Sequence, residues 1–242
     1  DGAKLKQVVL KRDKVGNWFA VVQIEMPDPL PAANPVLRAV GIDMGLASFL
    51  ALSTGELVDN PRWYRKGEAK LAKLQKMRAR CKRGSCRYAE LSRQIRVHHA
   101  TMANRRLDFQ HKLSAELASQ YDVIFVERLN TNGLCRSHVA KSMHDAAWSQ
   151  FLFFLQYKAE RAGGARPEVD ARGTSQECPT CGAAVRKELS DRVHVCFSCG
   201  YVAPRDVAAA QVIELRGARG WTDPLCKVIL SSGEVAGSHS LQ

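Results

Sequence analysis

Two short stretches of the 242-residue chain repeat one another: CPTCG (178–182) and CFSCG (196–200). In each, two thiols can grip one ion, and the following glycine gives the turn its backbone freedom. Fourteen residues separate the inner cysteines, just under the usual spacing of a four-cysteine zinc site. Cys178, Cys181, Cys196 and Cys199 therefore read as a tetrahedral Zn²⁺ shell. A closed shell leaves no position for water or substrate, so the zinc is expected to be structural. The alternatives are a disulfide pair, which the cytosol disfavours, and a redox dithiol. Cys81, Cys86, Cys135 and Cys226 lack comparable partners and read as ordinary thiols.

A second group of residues is more dispersed. VLRAVGIDMGLASFLAL (36–52) is apolar and strand-like, yet holds Asp43 between Gly41 and Gly45. A carboxylate in such a run needs a partner, a shifted pKa or a metal. YDVIFVE (121–127) is another apolar strand and ends in Glu127. Asp206 opens the last helical segment, seven residues after Cys199. If the two strands are parallel neighbours, Asp43 and Glu127 lie side by side, and a helix across the sheet brings Asp206 to them. Three converging carboxylates suit hard cations, Mg²⁺ or Mn²⁺. Two such ions about 4 Å apart activate a water and stabilise the leaving oxygen in phosphodiester cleavage. Asp206 as a helix cap, Glu127 as a surface residue and Asp43 paired with an arginine are the alternatives. Asp122, Asp145, Glu168 and Asp170 compete for the same role.

The elements that must hold these residues follow from pattern. Residues 4–12 and 17–26 read as a hairpin turning at 13–16, and PDPLPAANP (27–35) as a linker. A lone hairpin is marginal, so this start reads as the end of a larger domain. Three strands follow within 36–58, then a basic helix near 67–80. A long helix near 85–120 keeps Tyr88, Leu91, Ile95, Met102, Phe109, Leu113 and Leu117 on one face and reaches about 50 Å. Residues 144–162 form an apolar helix around Trp148, Phe151, Leu152, Leu155 and Ala159, expected to lie on the sheet. ARPEVDA (165–171) is one more short strand, and a helix covers about 206–217. The tail from 218 shows no pattern and is expected to be poorly ordered. Beyond the two matching cysteine knuckles, no internal repeat is present.

Charge is concentrated. The chain carries +12, and 62–112 alone holds 16 Lys and Arg against Glu68, Glu90 and Asp108. That block accounts for the whole surplus and points to a polyanionic partner. Arg78, Arg80, Lys82, Arg83, Arg87, Arg93, Arg96, Arg105 and Arg106 are its candidate nucleic-acid contacts. With no secretory signal and no apolar run of membrane-spanning length, a cytoplasmic, nucleoid-associated protein with no membrane partner is expected. No small-molecule cofactor is expected, and nothing bears on oligomeric state.

GIDMGLASFLALSTGE (41–56), FVERLNTNGL (125–134), WSQFLFFLQYKAERAGG (148–164), TSQECPTCG (174–182) and CFSCGYVAPRDVAAAQVI (196–213) together resemble the C-terminal half of the TnpB family. Those proteins are transposon-encoded, RNA-guided DNA nucleases, long described as transposases and related to compact type V CRISPR nucleases. The resemblance covers about 36–215, with five motifs in order. It implies an α/β fold of the RNase H-like, RuvC type, with a mixed sheet, flanking helices and an inserted zinc ribbon. Residues 1–35 would be a wedge-domain hairpin remnant plus linker, 36–172 the RuvC-like domain with its basic helices, 173–203 the ribbon, 204–217 the last RuvC helix and 218–242 a tail. It assigns the catalytic carboxylates to Asp43, Glu127 and Asp206, and lines a guide RNA and target DNA channel with the basic helices. The family often reads D-R-D-x-N-A-A-x-N at the last Asp; here Pro204, Ala208 and Val212 replace an acid and both asparagines. Arg128 stands where an acid is usual. The family's amino-terminal half, which reads the target-adjacent motif, has no counterpart in these residues. A nucleic-acid-binding protein that does not cut is thus the alternative. An actin-like ATPase or sugar kinase shares G-x-D-x-G, but Leu46, Ala47 and Ser48 follow here and the chain is short of a second lobe.

Overall fold

A computed structural model describes residues 3–25, 36–128, 146–188, 190–221, 227–232 and 235–236. The linker 27–35, residues 129–134 of the FVERLNTNGL motif, Cys135, Asp145 and Cys226 lie outside the described residues. Internal contacts divide the chain into two compact units, 1–30 with 62–109, and 31–61 with 110–242.

The first unit holds a hairpin and a helical pair. β1 (Lys4–Arg12) and β2 (Trp18–Glu25) are antiparallel. Their turn is fastened by Asp13, whose Oδ1 accepts the N–H groups of Val15, Gly16 and Asn17 at 2.7–2.9 Å. Leu5, Leu10, Trp18 and Ile24 are all exposed on the strands. α1 (Trp63–Ala79) begins four residues before the sequence expectation, because Arg62, at φ 50°, ends the extended chain after Pro61. α2 (Cys86–Gln120) matches its expected span; Ser85 Oγ accepts the Tyr88 N–H at its start. Leu71, Leu74, Leu91 and Ile95 form the buried seam between the two helices.

The second unit is a mixed seven-stranded sheet with flanking helices. β3 (Val36–Met44) is its centre. β4 (Ser48–Leu52) and β5 (Leu57–Asp59) continue from it as an antiparallel meander. β6 (Val123–Glu127) runs parallel to β3, with Ile42 opposite Val126, and β7 (Glu168–Val169) runs parallel to β6. Val123 to Val126 are completely buried, as a parallel strand covered on both faces must be. α3 (Trp148–Arg161) meets the sheet where Phe151 touches the edge of Phe49, ring centroids 5.1 Å apart.

α4 (Arg205–Arg219) lies directly on β3. A Cβ on Gly41 would stand 2.1 Å from Ala210 O and 2.7 Å from Glu214 N. Only glycine permits this approach, and the small buried residues Ala208, Ala209 and Ala210 present the matching helix surface. Between β7 and α4 a small hairpin of β8 (Val193–Val195) and β9 (Val202–Pro204) carries the second cysteine pair.

The tail corrects the expectation of a patternless end. β10 (Lys227–Ile229) pairs parallel with the first residues of β3, and β11 (Val235–Ala236) pairs with β10. Trp221 meets the edge of Phe125 at 6.3 Å, and Leu230 is buried in the same core. Ser231 donates its N–H and its hydroxyl to the buried carboxylate of Glu214, both at 2.6 Å. These anchors are few, and a three-residue strand is too short to show a period. No helix among the described residues is long and apolar enough to cross a membrane.

Candidate active site

Parallel pairing of β3 and β6 continues from Ile42 and Val126 to the next pair, so Asp43 and Glu127 leave the sheet at the same end. α4 approaches that end with its first turn and brings Asp206. Asp43, Glu127 and Asp206 line one cavity of about 430 Å³. Asp206 Oδ2 lies near the end of β3, 3.9 Å from where a Cβ on Gly45 would stand.

The competing acids are elsewhere and engaged. Asp122 accepts the Arg38 N–H at 2.8 Å; Glu168 pairs with Arg128 and Arg166; Asp170 accepts the Arg172 N–H at 3.1 Å. None of the three lines the cavity.

The site is electrostatically strained in favour of a cation. Burial, then Glu127, then Asp206, push the Asp43 carboxyl well above the usual carboxylate range, and Arg205 partly opposes them. Burial also raises Glu127, against the hydroxyl of Thr174, which donates to its Oε1, and against the charge of Arg216. The Trp148 indole N–H, also at this cavity, is buried with no hydrogen-bond partner. Three acids, opposed only in part by Arg205 and Arg216, fit hard divalent cations by donor chemistry. The carboxylate oxygens do not gather as the cysteine sulfurs do: among the described residues, only the cysteines bring their ligand atoms within 4.8 Å of one another.

Thr174, Ser175, Trp148, Arg192 and Arg205 also line the cavity, and the sequence reading gave none of them a role. Thr174 opens TSQECPTCG and Arg205 immediately precedes Asp206, so their neighbours carry the only signal available in the sequence. Arg205 also donates to the carbonyl of Glu188 at 2.8 Å, tying the start of α4 to the ribbon. Arg216 ties the other approach, donating to Glu177 and to the Arg172 carbonyl. The departures at Ala208 and Val212 are buried and do not line the cavity, and Arg128 points to solvent and Glu168.

The cysteines form two matching knuckles. Gly182 and Gly200 donate to the carbonyls of Cys178 and Cys196, with φ of 74° and 78° that a side chain would strain. Cys178 and Cys199, and Cys181 and Cys196, stand 3.6 Å apart, too far for disulfides. A tetrahedral ZnS₄ centre with 2.3 Å bonds has sulfurs ~3.8 Å apart. The Cys199 thiol receives the Tyr201 N–H, yet burial and the other three sulfurs push it up to about 12. Cys196 is raised by burial but drawn down to about 6 by the N–H groups of Cys199 and Ser198. The four cannot all be thiolates without a cation. The donors fit zinc, with no position left open. Cys81 donates to Met77 O and Cys86 is exposed, both free thiols.

The candidate nucleic-acid residues do not form one row. Arg80, Lys82, Arg83, Arg87, Arg93, Arg96 and Arg105 are exposed, Arg78 and Arg106 half-buried. Arg87 and Arg105 are five turns apart on one side of α2, and Arg93 and Arg96 are on another.

A family model described as "Probable transposase" matches residues 21–138, and a Cas12f1-like TNB domain model matches 148–213. A "Putative RNA-guided DNA endonuclease" of Streptomyces pristinaespiralis is 36% identical over 220 residues, 90% of this chain and 54% of that protein. A TnpB-like protein of Acanthamoeba polyphaga mimivirus is 26% identical over 89% of this chain and 44% of its own length. The chain thus spans about half the length of the curated relatives it matches. In structure, the chain resembles the protein of a Cas12f1–sgRNA–target DNA complex, with a TM-score of 0.52 and 16% identity, over 86% of this chain and 55% of that one. At that identity the likeness speaks for the fold.

Proposed function

The chain belongs to the TnpB family, and from that premise we propose that it is the nuclease portion of an RNA-guided DNA endonuclease. The fold is of the RNase H-like, RuvC type, and the reaction is metal-dependent phosphodiester hydrolysis. The observation that carries the reading is the meeting of Asp43, Glu127 and Asp206 at one cavity, from three elements far apart in sequence. Bound by these carboxylates, Mg²⁺ or Mn²⁺ would supply an activated water and neutralise charge on the leaving oxygen. Thr174 orients Glu127, and Arg205 balances Asp43. The four cysteines hold structural zinc, which sets the ribbon against the start of α4 through Arg205. Guide RNA and target DNA are the partners, met through the basic residues of 62–112, in a cytoplasmic, nucleoid-associated setting. The domain limits remain those of the motifs: 36–172 with 204–217 for the nuclease, 173–203 for the ribbon.

A second reading is a nucleic-acid-binding protein that does not cut. It is favoured by the altered neighbourhood of Asp206, where Pro204, Ala208 and Val212 stand in place of the family's usual acid and two asparagines. One experiment separates the two. The chain, with RNA from its own 3′ flank, is given guide-matched DNA with and without Mg²⁺, beside Asp43→Ala. Mg²⁺-dependent cutting that falls at least about 100-fold in the variant, with RNA binding kept, supports the nuclease. RNA binding without cutting in either protein leaves the second reading.

A further inference from the structure

A cavity of about 490 Å³ opens between α1 and α2, within the unit formed by 1–30 and 62–109. Trp63, Lys66 and Lys70 line it from α1, and Arg93, His98 and Arg105 from α2; no carboxylate does. Two of these are already engaged. Arg93 donates twice to Glu90, at 2.9 and 3.0 Å, and His98 Nε2 meets the Gly67 carbonyl at 3.0 Å. Among the described residues no carboxylate pairs with Lys66, Lys70 or Arg105. Lys66 Nζ and Arg105 Cζ stand 5.6 and 5.9 Å from the centroid of the Trp63 indole, near the outer limit of cation–π contact. The indole ring is half-buried, and its Nε1 is buried with no hydrogen-bond partner. Buried indole N–H groups normally find an acceptor.

An aromatic surface and three cations without a carboxylate partner meet in a space of small-ligand size. The geometry points to a binding site for one unpaired nucleotide of a single-stranded nucleic acid. Its base stacks on Trp63, and its phosphate takes Lys66, Lys70 and Arg105. A duplex keeps its bases stacked on one another and cannot offer a base to the indole. The site therefore selects single strands, where a bare basic face would hold any polyanion. The inference rests on the reading of the chain as a nucleic-acid-binding nuclease.

The test is fluorescence anisotropy of the full chain with a U12 RNA, a dT12 DNA and a 12-base-pair DNA duplex, in chelator so that nothing is cut. Trp63→Leu is expected to weaken both single strands about tenfold or more and the duplex less than about twofold. A loss confined to U12 assigns the pocket to RNA, and an equal loss to either strand. Lys66→Ala with Lys70→Ala, both exposed side chains, is expected to flatten the log–log salt slope for single strands by up to about 0.7, the value for the one phosphate they hold. Lys73→Ala, exposed on α1 outside the cavity, is expected to act on single strands and duplex alike. Unchanged single-strand binding in a folded Trp63→Leu, or equal loss on duplex, overturns the site. If that variant does not fold, the lysine pair decides: an effect no more selective than that of Lys73→Ala overturns it. A wild-type chain without preference for single strands overturns it as well. The nuclease reading stands or falls separately, on Mg²⁺-dependent cutting.

Discussion

The cysteine cluster and the carboxylate cavity are built in opposite ways. Each pair of thiols comes from one short turn that supplies its own hydrogen bonds, and the four sulfurs lie within 4.8 Å of one another. The three carboxylates come from β3, β6 and α4, 163 positions apart at the extremes, and face a cavity of about 430 Å³. The first site is closed and buries half of its ligands; the second is open and lined by residues with other tasks. A closed donor set can only hold structure, whereas an open one has room for a substrate. The difference lies in who positions the ligands: local turns in one case, the packed sheet in the other.

This contrast makes the largest effect a structural one. Cys178→Ser should release the metal from the ribbon, where structural zinc in small fingers is worth about 10–16 kcal/mol. Metal content should fall from one equivalent toward zero, with proteolysis appearing inside 173–203 while the sheet persists. A variant that keeps a full equivalent and its protease resistance would break the comparison.

Next comes the helix that supports the open site. Gly41→Ala sets a methyl against backbone atoms of α4, which cannot step aside as a side chain would. A loss of about 3 kcal/mol or more is expected, read from denaturant midpoints, with the ribbon metal retained. A loss under about 1 kcal/mol would mean that α4 does not rest on β3 as described.

A smaller effect tests orientation at the open site. Thr174→Val removes the hydroxyl that donates to Glu127 and should lower the cutting rate about fivefold, the worth of roughly 1 kcal/mol, with RNA affinity unchanged. An equal loss of RNA affinity would make Thr174 a merely structural residue.

The smallest effect concerns stability in chelator. The folded-state pKa of Asp43 is raised, so the fold favours its neutral form. That contribution is fully present below the unfolded value, about 3.9, and is lost as pH rises through the folded value. Near neutrality Asp43→Asn should therefore raise the metal-free Tm, by about 2–4 °C for each kcal/mol of repulsion removed. Mg²⁺ should then raise the Tm of the wild type more than that of the variant. A lower Tm for Asp43→Asn in chelator would show that the three charges do not strain the site.

Much of this was legible in the sequence for identifiable reasons. The knuckles announce themselves because both ligand pairs sit inside five-residue repeats. The long helix was legible because its apolar side recurs over 35 residues. Asp43 stands out as a charge inside an apolar run, and Glu127 as one that ends an apolar strand. Thr174 did not, because a buried hydroxyl beside a carboxylate leaves no pattern in sequence. The early start of α1 was missed because a left-handed residue at Arg62 has no sequence mark. The tail was misread because Trp221, Leu230 and Ser231 anchor it singly.

By itself the sequence determined local things: the strands and helices whose periods repeat, the turn chemistry of the cysteine pairs and the placement of positive charge in one block. Each depends on residues a few positions apart, where covalent geometry does the positioning. Only the tertiary structure decided which strands are parallel neighbours, that α4 lies on Gly41, and that Thr174 and Arg205 stand beside the carboxylates. It also decided that Trp63 shares a cavity with Lys66, Lys70 and Arg105. Those relations join residues from different elements, and close packing of the folded chain sets them.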